Sequence, residues 1–193
     1  LFRSSNTLGC STTSVVTVNA LPIISGTTIV CSGFQTQLTG TGTAATSNPW
    51  TSSNNAIATV SNTGLVTGIV AGTTTITYTN SNGCTTSVGL TVNVFPSISG
   101  LLSVCNGFQT QLTGSGTPAN SNAWISSSTS KAIVSNTGLV TGISAGTSTI
   151  TYTNSVGCAT TAVITVNPIP TISGVLSVCS ESQIQLTGSG AAA

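Results

Sequence analysis

Thr73-Thr74-Thr75-Ile76-Thr77-Tyr78-Thr79 sets a larger residue between threonines. The pattern returns in Thr147-Ser148-Thr149-Ile150-Thr151-Tyr152-Thr153. Successive side chains on a strand point to opposite faces, so this is the pattern of a β-strand with one buried face and one wet face. Val88-Gly89-Leu90-Thr91-Val92-Asn93-Val94 and Ala162-Val163-Ile164-Thr165-Val166 alternate less cleanly, and Phe34-Gln35-Thr36-Gln37-Leu38 places Phe34, Thr36 and Leu38 on one face. Nothing recurs at the helical period. Met is absent and Glu, Lys and Arg nearly so, which removes most good helix formers. Thr, Val and Ile suit a pleated, half-buried surface. The fold class is all-β.

The strand pattern belongs to a larger repeat. Cys31, Cys105 and Cys179 are spaced by 74 residues, as are Cys10, Cys84 and Cys158. Trp50 returns as Trp124, Tyr78 as Tyr152, and Pro22 as Pro96 and Pro170. Fixed periods mark array architectures, and 74 residues suffice for a small self-contained domain. With the prolines as boundaries, residues 20–93 and 94–167 are whole repeats. Residues 1–19 read as the C-terminal strands of a truncated repeat, and 168–193 as the N-terminal strands of another. The expectation is a chain that continues in both directions.

Gly, Asn and Ser clusters such as Asn54-Asn55, Asn62-Thr63-Gly64 and Asn80-Ser81-Asn82-Gly83 punctuate each repeat. They divide the first one into about seven strands, near 22–30, 34–39, 49–53, 56–60, 65–70, 73–80 and 84–93. Seven short strands with one Trp on the third predict an immunoglobulin-like β-sandwich. Trp50, Trp124, Tyr78 and Tyr152 are then core residues. The alternative use of the tryptophans, as a platform for sugar stacking, is outweighed by packing at that strand position.

Arg3, Lys131 and Glu181 are the only charged side chains, His is absent, and the net charge is +1. No carboxylate pair or imidazole exists for acid–base or nucleophilic catalysis, and no acidic cage exists for a hard cation. The expectation is a non-enzyme with no cofactor and no metal site. The charge gives no footprint for nucleic acid, and no apolar run is long enough to span a membrane. Ser128-Thr129-Ser130-Lys131 matches an S-x-x-K string but lacks its helix and partner motifs. Gly114-Ser115-Gly116 and Gly40-Thr41-Gly42 read as turns, and no Asn-x-Ser/Thr acceptor occurs.

Trp50-Thr51-Ser52-Ser53-Asn54, Ile57-Ala58-Thr59-Val60-Ser61, Gly64-Leu65-Val66-Thr67-Gly68 and Ala71-Gly72-Thr73-Thr74-Thr75-Ile76-Thr77 together resemble the bacterial immunoglobulin-like group 2 domain. Val30-Cys31-Ser32-Gly33 and Asn82-Gly83-Cys84 resemble the Thr/Ser-rich repeats of giant surface proteins and adhesins secreted by gliding bacteria. The resemblance implies a secreted, tandem, non-catalytic array at the cell surface. Two positions depart from the repeat. Lys131 stands where an inward Ile57 is expected, so that either the strand slips or the lysine snorkels outward. Glu181 stands where Gly33 and Gly107 occur, which weakens the case for a turn that needs positive φ.

Two cysteines per repeat in an exported chain argue for disulfides. Three regular pairings fit the period. Cys31–Cys84 and Cys105–Cys158 would lie within a repeat, Cys84–Cys105 would join sequence neighbours, and Cys31–Cys158 would join one repeat to the next. In an immunoglobulin-like sandwich the turns carrying Cys31 and Cys84 lie at opposite ends, about 30 Å apart by strand length. A disulfide needs Cα atoms within about 7 Å. This favours Cys31–Cys158, with Cys10, Cys84, Cys105 and Cys179 pairing to repeats beyond the sequence; the intra-repeat pairing is second. The functional expectation is an extracellular structural array: a surface filament, stalk or repetitive adhesin region. Its partners would be neighbouring repeats and other copies in a fibre or surface layer, since the surface lacks the charges that keep strand edges apart. The alternative is a carbohydrate- or surface-binding adhesive module acting through loops such as Asn80-Ser81-Asn82-Gly83.

Overall fold

In a computed structural model, described here over residues 2–190, every named element is a strand. The chain divides into two compact units, one ending at Val94 and the next beginning at Phe95. The first unit opens with β1 (Phe2–Ser5) and β2 (Ser11–Ser14). Its whole repeat follows as β3 (Ile24–Gly26), β4 (Ile29–Cys31), β5 (Gln35–Gly40), β6 (Trp50–Ser52), β7 (Ala58–Val60), β8 (Leu65–Gly68), β9 (Gly72–Thr79) and β10 (Thr85–Asn93). The second unit repeats these eight as β11 (Ile98–Gly100), β12 (Ser103–Cys105), β13 (Gln109–Gly114), β14 (Trp124–Ser126), β15 (Ala132–Val134), β16 (Leu139–Gly142), β17 (Gly146–Thr153) and β18 (Ala159–Asn167). It closes with β19 (Ile172–Ser173) and β20 (Thr187–Gly188).

Each repeat is two four-stranded sheets, ordered β4-β10-β9-β6 and β3-β5-β8-β7 in the first and equivalently in the second. The long hairpin β9–β10 pairs Thr85 with Thr79 through to Val92 with Gly72. On β9, Thr74, Ile76 and Tyr78 are buried while the other threonines face outward, as the alternation predicts. Outward Thr77 and Ser87 share a hydrogen bond of 2.8 Å across the pair. The expected first strand, 22–30, corrects to two short ones. The chain leaves β5 after Gly26 and joins the other sheet as β4, parallel to β10, with Val30 against Val92 and Cys31 against Asn93. One strand therefore closes an edge of both sheets, which alternation alone does not reveal.

The core of the first repeat gathers Val30, Leu38, Trp50, Ala58, Val66, Ile76, Tyr78, Leu90 and Val92. Trp50 and Tyr78 are cross-strand partners with ring centroids 4.6 Å apart, and Trp124 and Tyr152 match that distance. All four rings are buried, so neither tryptophan offers a face for sugar. Each tyrosine hydroxyl donates to a backbone carbonyl, Tyr78 to Gly42 at 3.2 Å and Tyr152 to Gly116 at 3.1 Å. The ring passes so close to Gly40 (Gly114 in the second repeat) that any Cβ there would overlap it.

Both departures from the repeat resolve at the backbone. β15 keeps the register of β7, pairing Ala132 with Gly142 as Ala58 pairs with Gly68. The strand has not slipped. Lys131 lays its stem over Gly146, where Ile57 covers Gly72, and donates from Nζ to the Ala145 carbonyl at 2.9 Å. Gly33 and Gly107 have φ of 84° and 81°, and Glu181 takes φ 64° in the equivalent turn. The turn does demand the left-handed region; glutamate adopts it at a cost.

Candidate functional site: the cysteine-bearing turns

No group of three His, Cys, Asp or Glu residues converges among the described residues. The S-x-x-K string forms a turn in which Lys131 N–H donates to the Ser128 carbonyl at 3.0 Å. Ser128 Oγ bonds Ser130, while Lys131 Nζ is engaged at Ala145. Hydroxyl clusters nearby serve the fold. Buried Thr74 Oγ1 meets Ser52 Oγ, Ser53 Oγ and Asn54 N–H, each at 3.1 Å. Ser148 does the same work in the second repeat, bonding Ser126 Oγ at 2.8 Å and Ser128 N–H at 3.0 Å. Sequence reading counted Thr74 and Ser148 as part of the threonine background, and only their inward register distinguishes them.

The recurring chemistry lies in the cysteines, which occupy two kinds of turn. One joins β9 to β10: Asn80-Ser81-Asn82-Gly83-Cys84. Asn80 is buried, and its Oδ1 accepts from Asn82 N–H at 3.1 Å and Cys84 N–H at 3.0 Å. Asn154 Oδ1 accepts from Cys158 N–H at 2.9 Å, and Asn6 Oδ1 from Cys10 N–H at 3.0 Å. A side-chain acceptor fixing the backbone a few residues on is the habit of Asn in turns. The asparagine four residues before each such cysteine was visible in the sequence, and its role was missed. The other turn follows β4. Phe34 N–H donates to the Cys31 carbonyl at 3.0 Å, and Ser32 N–H to Asn93 at 2.8 Å.

Cys31 and Cys158 are disulfide-bonded; Cys10, Cys84, Cys105 and Cys179 are free thiols. Pairing within a repeat does not fit this fold. Cys31 lies opposite Asn93 at the end of β10, while Cys84 precedes its start, a separation of about 30 Å along the strand. Cys105 opposite Asn167 and Cys158 ahead of β18 are separated the same way. Cys84 and Cys105, the third regular pair, are both thiols.

A tandem array of two-sheet sandwiches with parallel closure by a split first strand is the architecture of the bacterial Ig-like domain (group 2). The model of that family matches residues 15–92 and 91–165, and the chain belongs to it. Comparison with curated protein sequences gives no match. Among solved structures, an intimin mutant of EHEC O157:H7 is similar at 21% identity, with a TM-score of 0.33 over 42% of this chain and 50% of that one. A C-terminal 282-residue intimin fragment, in complex with the intimin-binding domain of the translocated intimin receptor, aligns at 14% identity and TM-score 0.52, over 82% of this chain and 68% of that one. The S-layer protein rSbsC(31–844) gives 17% identity and TM-score 0.31, over 97% of this chain and 33% of that one. The chain spans half the length of the first intimin structure, and the likenesses concern the fold.

Proposed function

We propose that this chain is a non-catalytic segment of an extracellular, cell-surface array, in which a Cys31–Cys158 disulfide joins one immunoglobulin-like repeat to the next. The observation that carries the reading is the choice of half-cystines: of six cysteines, the two in disulfide linkage come one from each repeat and one from each kind of turn. Disulfides persist in oxidising, extracytoplasmic settings. The uncharged, hydroxyl-rich surface supports a structural role among other copies in a fibre or surface layer, because no charge opposes lateral contact. The boundaries of the joined units are those of the 74-residue period, 20–93 and 94–167. The intimin fragment, solved on a receptor domain, illustrates how the same fold serves adhesion. The carbohydrate-binding alternative gains no support: Asn80 spends its acceptor on its own turn, and Trp50 and Trp124 are buried.

Peptide mapping without reduction tests the reading. The expected product is one cross-linked pair containing Cys31 and Cys158; recovery of Cys31 with Cys84 would leave each repeat a separately locked bead and overturn it. Electron microscopy at low and high salt addresses the partners, since dispersed strands that never bundle would refute lateral assembly.

A further inference from the structure

The cysteine turns keep one backbone whether or not the sulfur is bonded. Around half-cystine Cys158, Asn154 N–H donates to the Cys158 carbonyl at 3.0 Å and Gly157 N–H to the Asn154 carbonyl at 3.0 Å. Around the thiol Cys84, the same two bonds, from Asn80 and Gly83, both measure 3.0 Å. In the other turn, half-cystine Cys31 has Gly33 N–H on the Gly68 carbonyl at 2.9 Å, and the thiol Cys105 has Gly107 N–H on Gly142 at 2.8 Å. The sulfur's surroundings differ instead. Cys158 is 1% exposed while its thiol counterpart Cys84 is half-buried, and Cys105 is exposed where Cys31 is half-buried. Beside Cys105 the surface is apolar: Phe108 is 61% and Ile143 43% exposed, and the Gly142 N–H next to Ile143 donates to the Phe108 carbonyl. Residues 3–20 and 168–190 are exposed throughout, so neither flank is packed into a repeat.

We propose that Cys84 and Cys105 are complementary coupling sites for a second copy of this chain. The Cys84 turn of one copy seats against the Cys105, Phe108 and Ile143 end of another, and the two thiols become an intermolecular disulfide. The proposal rests on the Cys31–Cys158 reading, because it takes that linkage as the pattern for the thiols in equivalent positions. The oxidant is a small-molecule disulfide such as oxidised glutathione. The Cys84 thiolate attacks one of its sulfurs and releases a thiolate; the Cys105 thiolate of the other copy then attacks the mixed disulfide at Cys84 sulfur and releases the second. One S–S bond forms as one is consumed, the two cysteines lose two electrons to glutathione, and the two thiol protons pass to solvent and the released thiolates. Neither turn has to reorganise, which lowers the ordering cost of the joint. The joint is head-to-tail, so it extends rather than closing as a symmetric dimer.

The test uses the full chain carrying Cys10→Ser and Cys179→Ser, mixed one to one as unlabelled and nitrogen-15-labelled protein, oxidised with glutathione disulfide, alkylated, and mapped without reduction. A Cys84–Cys105 peptide is expected, with roughly half its molecules carrying one labelled and one unlabelled arm, as random head-to-tail joining requires. A ladder of covalent multimers should accompany it, lost with Cys105→Ser and weakened severalfold by Phe108→Ser. Alkylated Cys84 and Cys105 beside an intact Cys31–Cys158 peptide would overturn the coupling alone, as would Cys84–Cys105 peptides of a single isotope. Absence of the Cys31–Cys158 peptide would instead overturn the reading beneath it.

Discussion

Tyr78 and Tyr152 show how one side chain dictates another's identity. Each ring fills the core beside Trp50 or Trp124, anchors its hydroxyl on a loop carbonyl, and occupies the space where a Cβ at Gly40 or Gly114 would stand. Gly114→Ala should therefore destabilise the second repeat by about 1–3 kcal/mol, the usual range for overpacking. Tyr152→Phe, which keeps the ring and drops the hydrogen bond, should cost about 1 kcal/mol. Urea midpoints of the two variants check the order. The aromatic core positions were legible from the strand pattern; the dependence of Gly40 on Tyr78 was not, because nothing local links residues 38 apart. Lys131 adds a second test. Since Ile57 holds the same place over Gly72, Lys131→Ile should leave the register unchanged and alter stability by less than about 1.5 kcal/mol, as a tolerated change of similar volume does. A loss of several kcal/mol in the same titration would show that the Ala145 bond matters more than the covering stem.

Among the elements, the strands with clean alternation were read almost residue for residue: 73–80 became β9 and 84–93 became β10. The first strand was the exception, because a segment that serves two sheets in turn has no single periodicity to detect. The cysteine turns were legible as turns, yet their internal support was not. Asn154 is buried and holds the Cys158 amide through Oδ1. Asn154→Ala should cost about 1–3 kcal/mol, the penalty for losing a buried partner. It should also loosen the turn that presents Cys158, so reduction by dithiothreitol should be faster than in the unaltered chain. Unchanged reduction kinetics with lowered stability would confine Asn154 to a structural part.

For the molecule as a whole, the scarcity of charge is the governing fact. Three charged side chains in 193 residues leave almost nothing for salt to screen and no acidic ligands for a cation. Melting temperature should be the same with and without EDTA, measured by circular dichroism; a fall of several degrees would reveal a metal-stabilised site. Sequence alone reached the repeat length, the sandwich and the absence of catalytic groups, since each follows from composition or periodicity. Which turn amides would be satisfied, and by which asparagine, depends on three-dimensional closure that no period encodes.

The parallel pairing of β4 with β10 also decides how a repeat answers force. Cys31 lies beside Asn93, and Ser32 N–H reaches the Asn93 carbonyl at 2.8 Å while Thr91 N–H reaches Thr28 at 2.9 Å. When a repeat is pulled between its first strand and its last, these two strands are drawn past one another in shear. Their bonds are loaded together, whereas a hairpin opened from its ends would lose them one by one. Rupture should begin at this short ladder, with the rest of the sandwich carrying little load until it gives. Ser32→Pro removes one donor at the ladder's edge. In single-molecule extension it should lower the unfolding force of the first repeat while the second repeat, with Asn106 N–H still bonded to Asn167 at 2.9 Å, keeps its own.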